Sequence, residues 1–188
     1  VDNGLEAFAT IRMNDVHCLV LEDRKGPYTD KFYRDHPAYR LQQSGGLNYA
    51  IPAVRAHRIA CFEEMVRRYP FKGMELDFVR GVPFFPGDNP PNDPHEGEHP
   101  ITYPRDYSEG YCPIMTGFIG EIRAMFDRVG QELDRKIELC VRVGSSLSGC
   151  RRVGLDPIDW HERGYLDFLT VGRFLQIQYE LPISSFKR

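Results

Sequence analysis

Residues 71–80 read FKGMELDFVR, and Met74, Leu76 and Phe78 alternate there with Glu75, Asp77 and Val79. A period of two makes this a β-strand with Glu75 and Asp77 on one face. An apolar-striped helical segment, NYAIPAVRAHRIACFEEMVRRY over 48–69, runs in before it, and a long irregular stretch runs out after it. A strand fed by a helix belongs in a parallel sheet, and both faces of such a sheet are covered. Two carboxylates on a covered face must be paired, hydrogen-bonded or placed at the sheet's open end. The end after the strand is where α/β proteins hold their chemistry. Asp77 is therefore read as an active-site acid. The competing reading is an aspartate that caps the next turn or pairs with an arginine.

The same two periodicities recur along the chain. LEAFATIRM, residues 5–13, is a first strand, with Phe8, Thr10 and Arg12 on one face and Ala7, Ala9, Ile11 and Met13 on the other. Residues 22–49 are charged and rich in Gly, Pro, Tyr and Asp, which predicts a long loop with room for one helical turn. Pro52 suits the first turn of the helix that follows, and Val54, Ile59, Phe62, Met65 and Val66 mark its apolar face. Residues 81–113 form an excursion rich in Pro, Gly, acids and aromatics, above the end of the central strand. A second helix over 114–133 and a third strand over 136–143 come next, then a small-residue loop over 144–149. Residues 157–163 read as a short helix with Asp156 as N-cap and Gly164 as its end, and YLDFLTV, residues 165–171, as a fourth strand.

Strand and helix therefore alternate, which predicts an α/β fold with a parallel sheet and right-handed crossovers. Connections after strands are long and those after helices are short, as in (β/α)8 TIM-barrel folds, where the loops after strands carry function. Four strands are half of eight. The expectation is a single (β/α) domain over 1–188 that covers the central part of a barrel, with 81–113 as its active-site loop; the alternative is a smaller open sheet.

Composition closes off other classes. A net charge of −3 gives no nucleic-acid footprint, and no apolar run approaches a membrane span. The five cysteines are scattered, odd in number and without a C-x-x-C pair, so neither a disulfide framework nor a zinc knuckle is encoded. Free thiols lean towards a reducing compartment, and no signal peptide is visible at the start. The expectation is a chain without cofactor or metal.

Strand parity brings charges together. If the all-apolar faces lie against the helices, then Arg12, Asp77 with Glu75, and Arg142 all point to the opposite side, near the carboxyl ends of three strands. Charges so placed need each other, as a polar site at a barrel mouth or as a structural ion-pair layer. Asn14, Asp15 and His17 follow the first strand on the same rim. Paired acids across a cleft are what glycosidic-bond cleavage requires, one to protonate the leaving oxygen and one as nucleophile or water activator. Asp15 or Glu75 is the candidate partner of Asp77, with Glu75 one layer deeper. Phe84, Phe85, Tyr103, Tyr107 and Tyr111 decorate the excursion, either as stacking faces for sugar rings or as pins for the loop. His95–His99 spells H-E-x-x-H, but Pro94, Gly97 and Pro100 deny it the helix that motif needs.

RMNDVH, then NYAIPAVRAHRIACFEEMVRRYPFKGMELDFVR, then ELCVRVGSS, then GLDPIDWHERGYLDFLTVGRF resemble the family-10-like glycosyl hydrolases, a group of glycoside-hydrolase-like TIM barrels. The resemblance runs from about Leu5 to Ser184 and is most specific over 54–80. It implies a (β/α)8 barrel acting on glycosides, with Asp77 and Arg80 in the acid and arginine positions of the motif, and a chain that lacks strands at both ends. The resulting expectation is hydrolysis of O-glycosidic bonds in an oligo- or polysaccharide. Asp77 with Asp15 or Glu75 would do the chemistry; Arg12, Asn14, His17, Arg80, Arg142, Tyr103 and Tyr107 would hold substrate. The alternatives are a barrel module that binds carbohydrate without cleaving it, and a metal-dependent hydrolase built on His95 and His99.

Overall fold

The computed structural model describes residues 3–15, 30–42, 44–80, 83–87, 109–172, 181 and 183–186. Within these, the order is β1 (Phe8–Arg12), α1 (Lys31–Asp35), α2 (Pro52–Arg68), β2 (Gly73–Asp77), α3 (Cys112–Glu132), β3 (Glu138–Gly144), α4 (Leu147–Arg152), α5 (Pro157–Glu162) and β4 (Phe168–Gly172). The strands form one parallel sheet in the order β1-β2-β3-β4. A doubly wound sheet reverses its strand order at some point. This one runs in chain order throughout, with helices on one face, which is the arrangement of part of a (β/α) barrel.

The sheet is also curled. β1 and β4 are separated by two strands, about 14 Å at ordinary strand spacing. Yet the rings of Phe8 on β1 and Phe168 on β4 meet edge to face, 5.4 Å between centroids. Side chains that far apart in the sheet touch only if their face is concave. Gly73 makes room for this contact. A Cβ there would stand 2.5 Å from the Phe8 ring and 2.5 Å from the Glu138 carbonyl oxygen.

On the convex face, Met74, Leu76, Leu139 and Val141 are fully buried against the helices. α3 supplies most of that cover through Met115, Phe118, Ile119, Ile122, Met125, Phe126 and Val129, spaced three and four apart. Pro52 and Pro113 occupy first-turn positions of α2 and α3, where a missing N–H costs nothing. Arg135 closes the carboxyl end of α2 by donating to the carbonyls of Val66, Tyr69 and Phe71. The two long helices are tied by Glu63, Arg67, Arg128 and Glu132, each acid paired with both arginines. Asp156 caps α5 by accepting the Asp159 N–H, and Gly164 follows that helix at φ +69°.

Two local features differ from the sequence reading. Residues 144–149 are not all loop, because α4 starts at Leu147 with the Ser146 hydroxyl accepting the Gly149 N–H. Ser, Gly and Leu in a six-residue helix leave too short a periodicity to detect. Phe84 and Phe85 do not present their rings to a ligand. Both are fully buried, Phe84 against Tyr49 and Phe78, and Phe85 stacked on Tyr111 at 4.5 Å. They pin the described part of the excursion to the core. Among the described residues, no helix is long and apolar enough to cross a membrane.

Candidate active site

Register sets the site. Arg12, Asp77, Arg142 and Thr170 are successive Cα partners across β1 to β4. One layer below, Thr10, Glu75, Cys140 and Phe168 are partners in the same way. Equal parity puts both rows on the concave face.

Asp77 is 3% exposed. Its Oδ1 accepts the Val79 N–H at 3.0 Å, an aspartate turn that directs the chain out of the sheet. Its Oδ2 faces Arg142 Nη1 at 3.7 Å. On the other flank, Arg12 Nη1 donates to Asp15 Oδ2 at 2.7 Å, and this pair is exposed. Arg80, half-buried, follows Asp77 at the same rim.

Glu75 is held differently. Its carboxylate accepts from Thr170 Oγ1 at 2.9 Å, from Thr10 Oγ1 at 3.4 Å and from the Cys140 thiol at 3.7 Å. Burial, then the neighbouring Glu75 charge, push the Cys140 thiol up to about 12, so it serves as a neutral donor. Glu75 is thus seated among hydroxyls and a thiol rather than among arginines. Thr10, Cys140 and Thr170 were not singled out from sequence; their shared parity two residues below the rim was the signal that would have found them.

Asn14 is a buried clamp, 2% exposed. Its Nδ2 donates to Leu47 O at 3.2 Å and Pro83 O at 2.6 Å, and its Oδ1 accepts the Leu47 N–H at 2.8 Å. Both Nδ2 hydrogens and one acceptance at Oδ1 serve to join the β1 exit to two other segments. Gly46 has no side chain because a Cβ there would stand 2.5 Å from Asn14 Nδ2. Next to it, the Met13 carbonyl accepts from the Tyr49 hydroxyl and from Arg58 Nη2. Burial holds that tyrosine above its ordinary range. Met13 and Asn14 are thus tied to Leu47, Pro83, Tyr49 and Arg58 at the exit of β1.

His17, Tyr103, Tyr107 and the His95–His99 segment lie outside the described residues. Among the described residues, no group of three or more His, Cys, Asp and Glu side chains is arranged to hold a metal ion.

No family model and no curated protein matches the sequence. Solved structures similar in part include chitinases. The class V chitinase from Nicotiana tobaccum is 15% identical over 89% of this chain and 33% of its own, with a TM-score of 0.46. The Ostrinia furnacalis group IV chitinase, solved in complex with allosamidin, is 21% identical over 65% of this chain and 25% of its own, with a TM-score of 0.41. The Trichuris suis chitinase is 14% identical over 65% and 26%, with a TM-score of 0.42. The chain spans a third or less of the length of these structures. Scores this low leave the fold to rest on the strand order and register of the chain itself.

Proposed function

We propose that this chain is the substrate-facing part of a (β/α) barrel that cleaves O-glycosidic bonds in an oligo- or polysaccharide, with Asp77 as a catalytic carboxylate. One observation carries the reading: the row Arg12–Asp77–Arg142 across the carboxyl end of a concave parallel sheet. That end is where barrels gather chemistry from several strands. Glycoside cleavage needs a second carboxylate across the scissile bond. Asp15 stands on the rim itself, whereas Glu75 lies a layer lower and is engaged by neutral donors. Asp15 is the better placed of the two. Arg12, Arg80 and Arg142 would orient substrate. His17, Tyr103 and Tyr107 would complete the subsites by hydrogen bonding and stacking.

A second reading, carbohydrate binding without cleavage, is favoured by the engagement of Asp15 with Arg12 at 2.7 Å. A carboxylate held that way has an oxygen engaged by its arginine rather than by a substrate. The two readings separate on release of reducing ends from a panel of neutral and acidic glycans, with wild type and Asp77→Asn assayed side by side. Hydrolysis abolished in the variant supports the enzyme. Binding to a glycan with no turnover supports the module, and an Asp77→Asn variant as active as wild type sinks the catalytic role.

A further inference from the structure

Arg142 has more donors than the chain uses. A guanidinium carries five N–H groups. Among the described residues, the Arg142 side chain makes no hydrogen bond, and its ion pair with Asp77 is 3.7 Å long, outside hydrogen-bond range. The side chain is 36% exposed while its partner's is 4% exposed. Arg12, across the row, is already engaged by Asp15. What Arg142 offers to solvent is a guanidinium edge with spare donors.

The backbone beside it is cleared of side chains. Gly144 and Gly172 are register partners at the carboxyl ends of β3 and β4, on the same face as Arg142 and Thr170. A Cβ on Gly172 would lie 3.5 Å from Arg142 Nε and Nη2, so the guanidinium rests along that stretch of backbone. A Cβ on Gly144 would meet nothing within 4 Å among the described residues. Neither glycine is among those with positive φ, so no left-handed turn requires them. Glycine weakens a strand, and where no bend demands it, it marks close approach of a ligand or another backbone. Below the pair, Thr170 is occupied by Glu75 and the Val141 carbonyl, which closes the floor.

We propose that Arg142 and the Gly144–Gly172 floor form a subsite for an anionic sugar residue, one that carries a carboxylate or a sulfate. The planar fork of an arginine fits an oxyanion with two parallel hydrogen bonds. The bare backbone lets a sugar ring lie flat beside it. The subsite rests on the carbohydrate reading above and narrows its substrate class.

The test is titration calorimetry with three oligosaccharides of equal length: an oligouronate, a sulfated one and a neutral one. Each is titrated into wild type, Arg142→Gln and Gly144→Val. Wild type is expected to bind one or both anionic ligands about 10-fold or more tighter than the neutral one. Arg142→Gln should erase that preference. Gly144→Val fills space in which a Cβ meets nothing within 4 Å and should also weaken the anionic ligand, at an unchanged thermal midpoint. Tight binding of the uronate alone, or of the sulfated sugar alone, identifies the oxyanion. Equal binding of all three, binding of none, or a preference that survives both variants overturns the subsite. Cleavage of neutral glycans with no anionic preference ends the subsite but leaves the hydrolase. Tight anionic binding with no cleavage of any glycan does the reverse.

Discussion

The Arg142 guanidinium stands 3.7 Å from the Asp77 carboxylate across the β2–β3 pair, in the same register row. Charge-assisted hydrogen bonds close to about 2.7–2.9 Å, so this contact acts through the field rather than through a shared proton. Among the described residues, the one hydrogen bond that fixes the Asp77 carboxylate comes from the Val79 N–H. Orientation and charge of Asp77 are thus supplied by different partners, and substitution can separate them.

Asp77→Asn keeps an oxygen for the Val79 N–H and removes the charge. Its urea midpoint should stay close to wild type while glycan hydrolysis falls about 100-fold or more. Asp77→Ala strands a buried N–H and should cost about 1–3 kcal/mol of stability as well. The single tryptophan reports unfolding in both, because Trp160 is fully buried with its Nε1–H donated to Thr116 Oγ1 at 2.9 Å.

Gly73→Ala should destabilise by about 1–3 kcal/mol, since overpacking forces backbone to move. The added methyl would stand 2.5 Å from the Glu138 carbonyl oxygen, which cannot swing away as a side chain would. Urea titration followed by Trp160 fluorescence measures this. A midpoint equal to wild type would mean that the sheet is flatter than the Phe8–Phe168 contact requires.

Asp167 ties β4 to β3 and α3 at the amino end of the sheet. Its carboxylate accepts the Leu139 N–H at 2.8 Å and Arg123 Nη1 at 3.0 Å, and pairs with Lys136. Burial alone would raise its pKa, but Lys136, the Leu139 N–H and Arg123 outweigh burial and hold it below the ordinary 3.8. A carboxylate depressed in the fold stabilises it above the unfolded-state pKa, and that stability is lost as pH falls through the folded value. Asp167→Asn should therefore be less stable than wild type by about 1–3 kcal/mol near neutral pH. The gap between the two should close below pH 3.8. A gap that stays constant across the titration would show that the charge contributes nothing.

The thiols should differ in reactivity. Burial pushes Cys150 up to about 12, and burial with the Glu75 charge does the same for Cys140. The thiolate is the reactive form, so both should resist alkylation at pH 8 in the native protein and react after unfolding in urea. Mass-spectrometric mapping of iodoacetamide labelling reads each site. Rapid native labelling of Cys140 would show that the Glu75 layer opens to solvent.

Much of the fold was legible because each strand and long helix repeats its own period over five residues or more. The alternation of Met74, Leu76 and Phe78 with Glu75 and Asp77 located β2, and the three- and four-residue spacing of Phe118, Ile122, Phe126 and Val129 located α3. The rim residues were legible for a related reason. Parity assigns a side of the sheet without knowledge of what lies there, so Arg12, Asp77 and Arg142 were placed on one side near the carboxyl ends of their strands; that they share one register row came from the strand pairing. α4 and the burial of Phe84 and Phe85 were not legible, because a six-residue helix has no measurable period and an aromatic in a loop reads alike whether it packs inward or outward.

Local pattern therefore determined the order of elements, the face of each charged side chain and the end of the sheet where they gather. Tertiary structure alone decided who partners whom. Arg12 is drawn to Asp15 and not to Asp77, Asn14 is spent on the Leu47 and Pro83 backbones, and Glu75 sits among Thr10, Cys140 and Thr170. Most of these partners are 30 to 100 residues apart along the chain, brought together only when the strands pair and the connecting segments fold back onto them, and no periodicity extends that far.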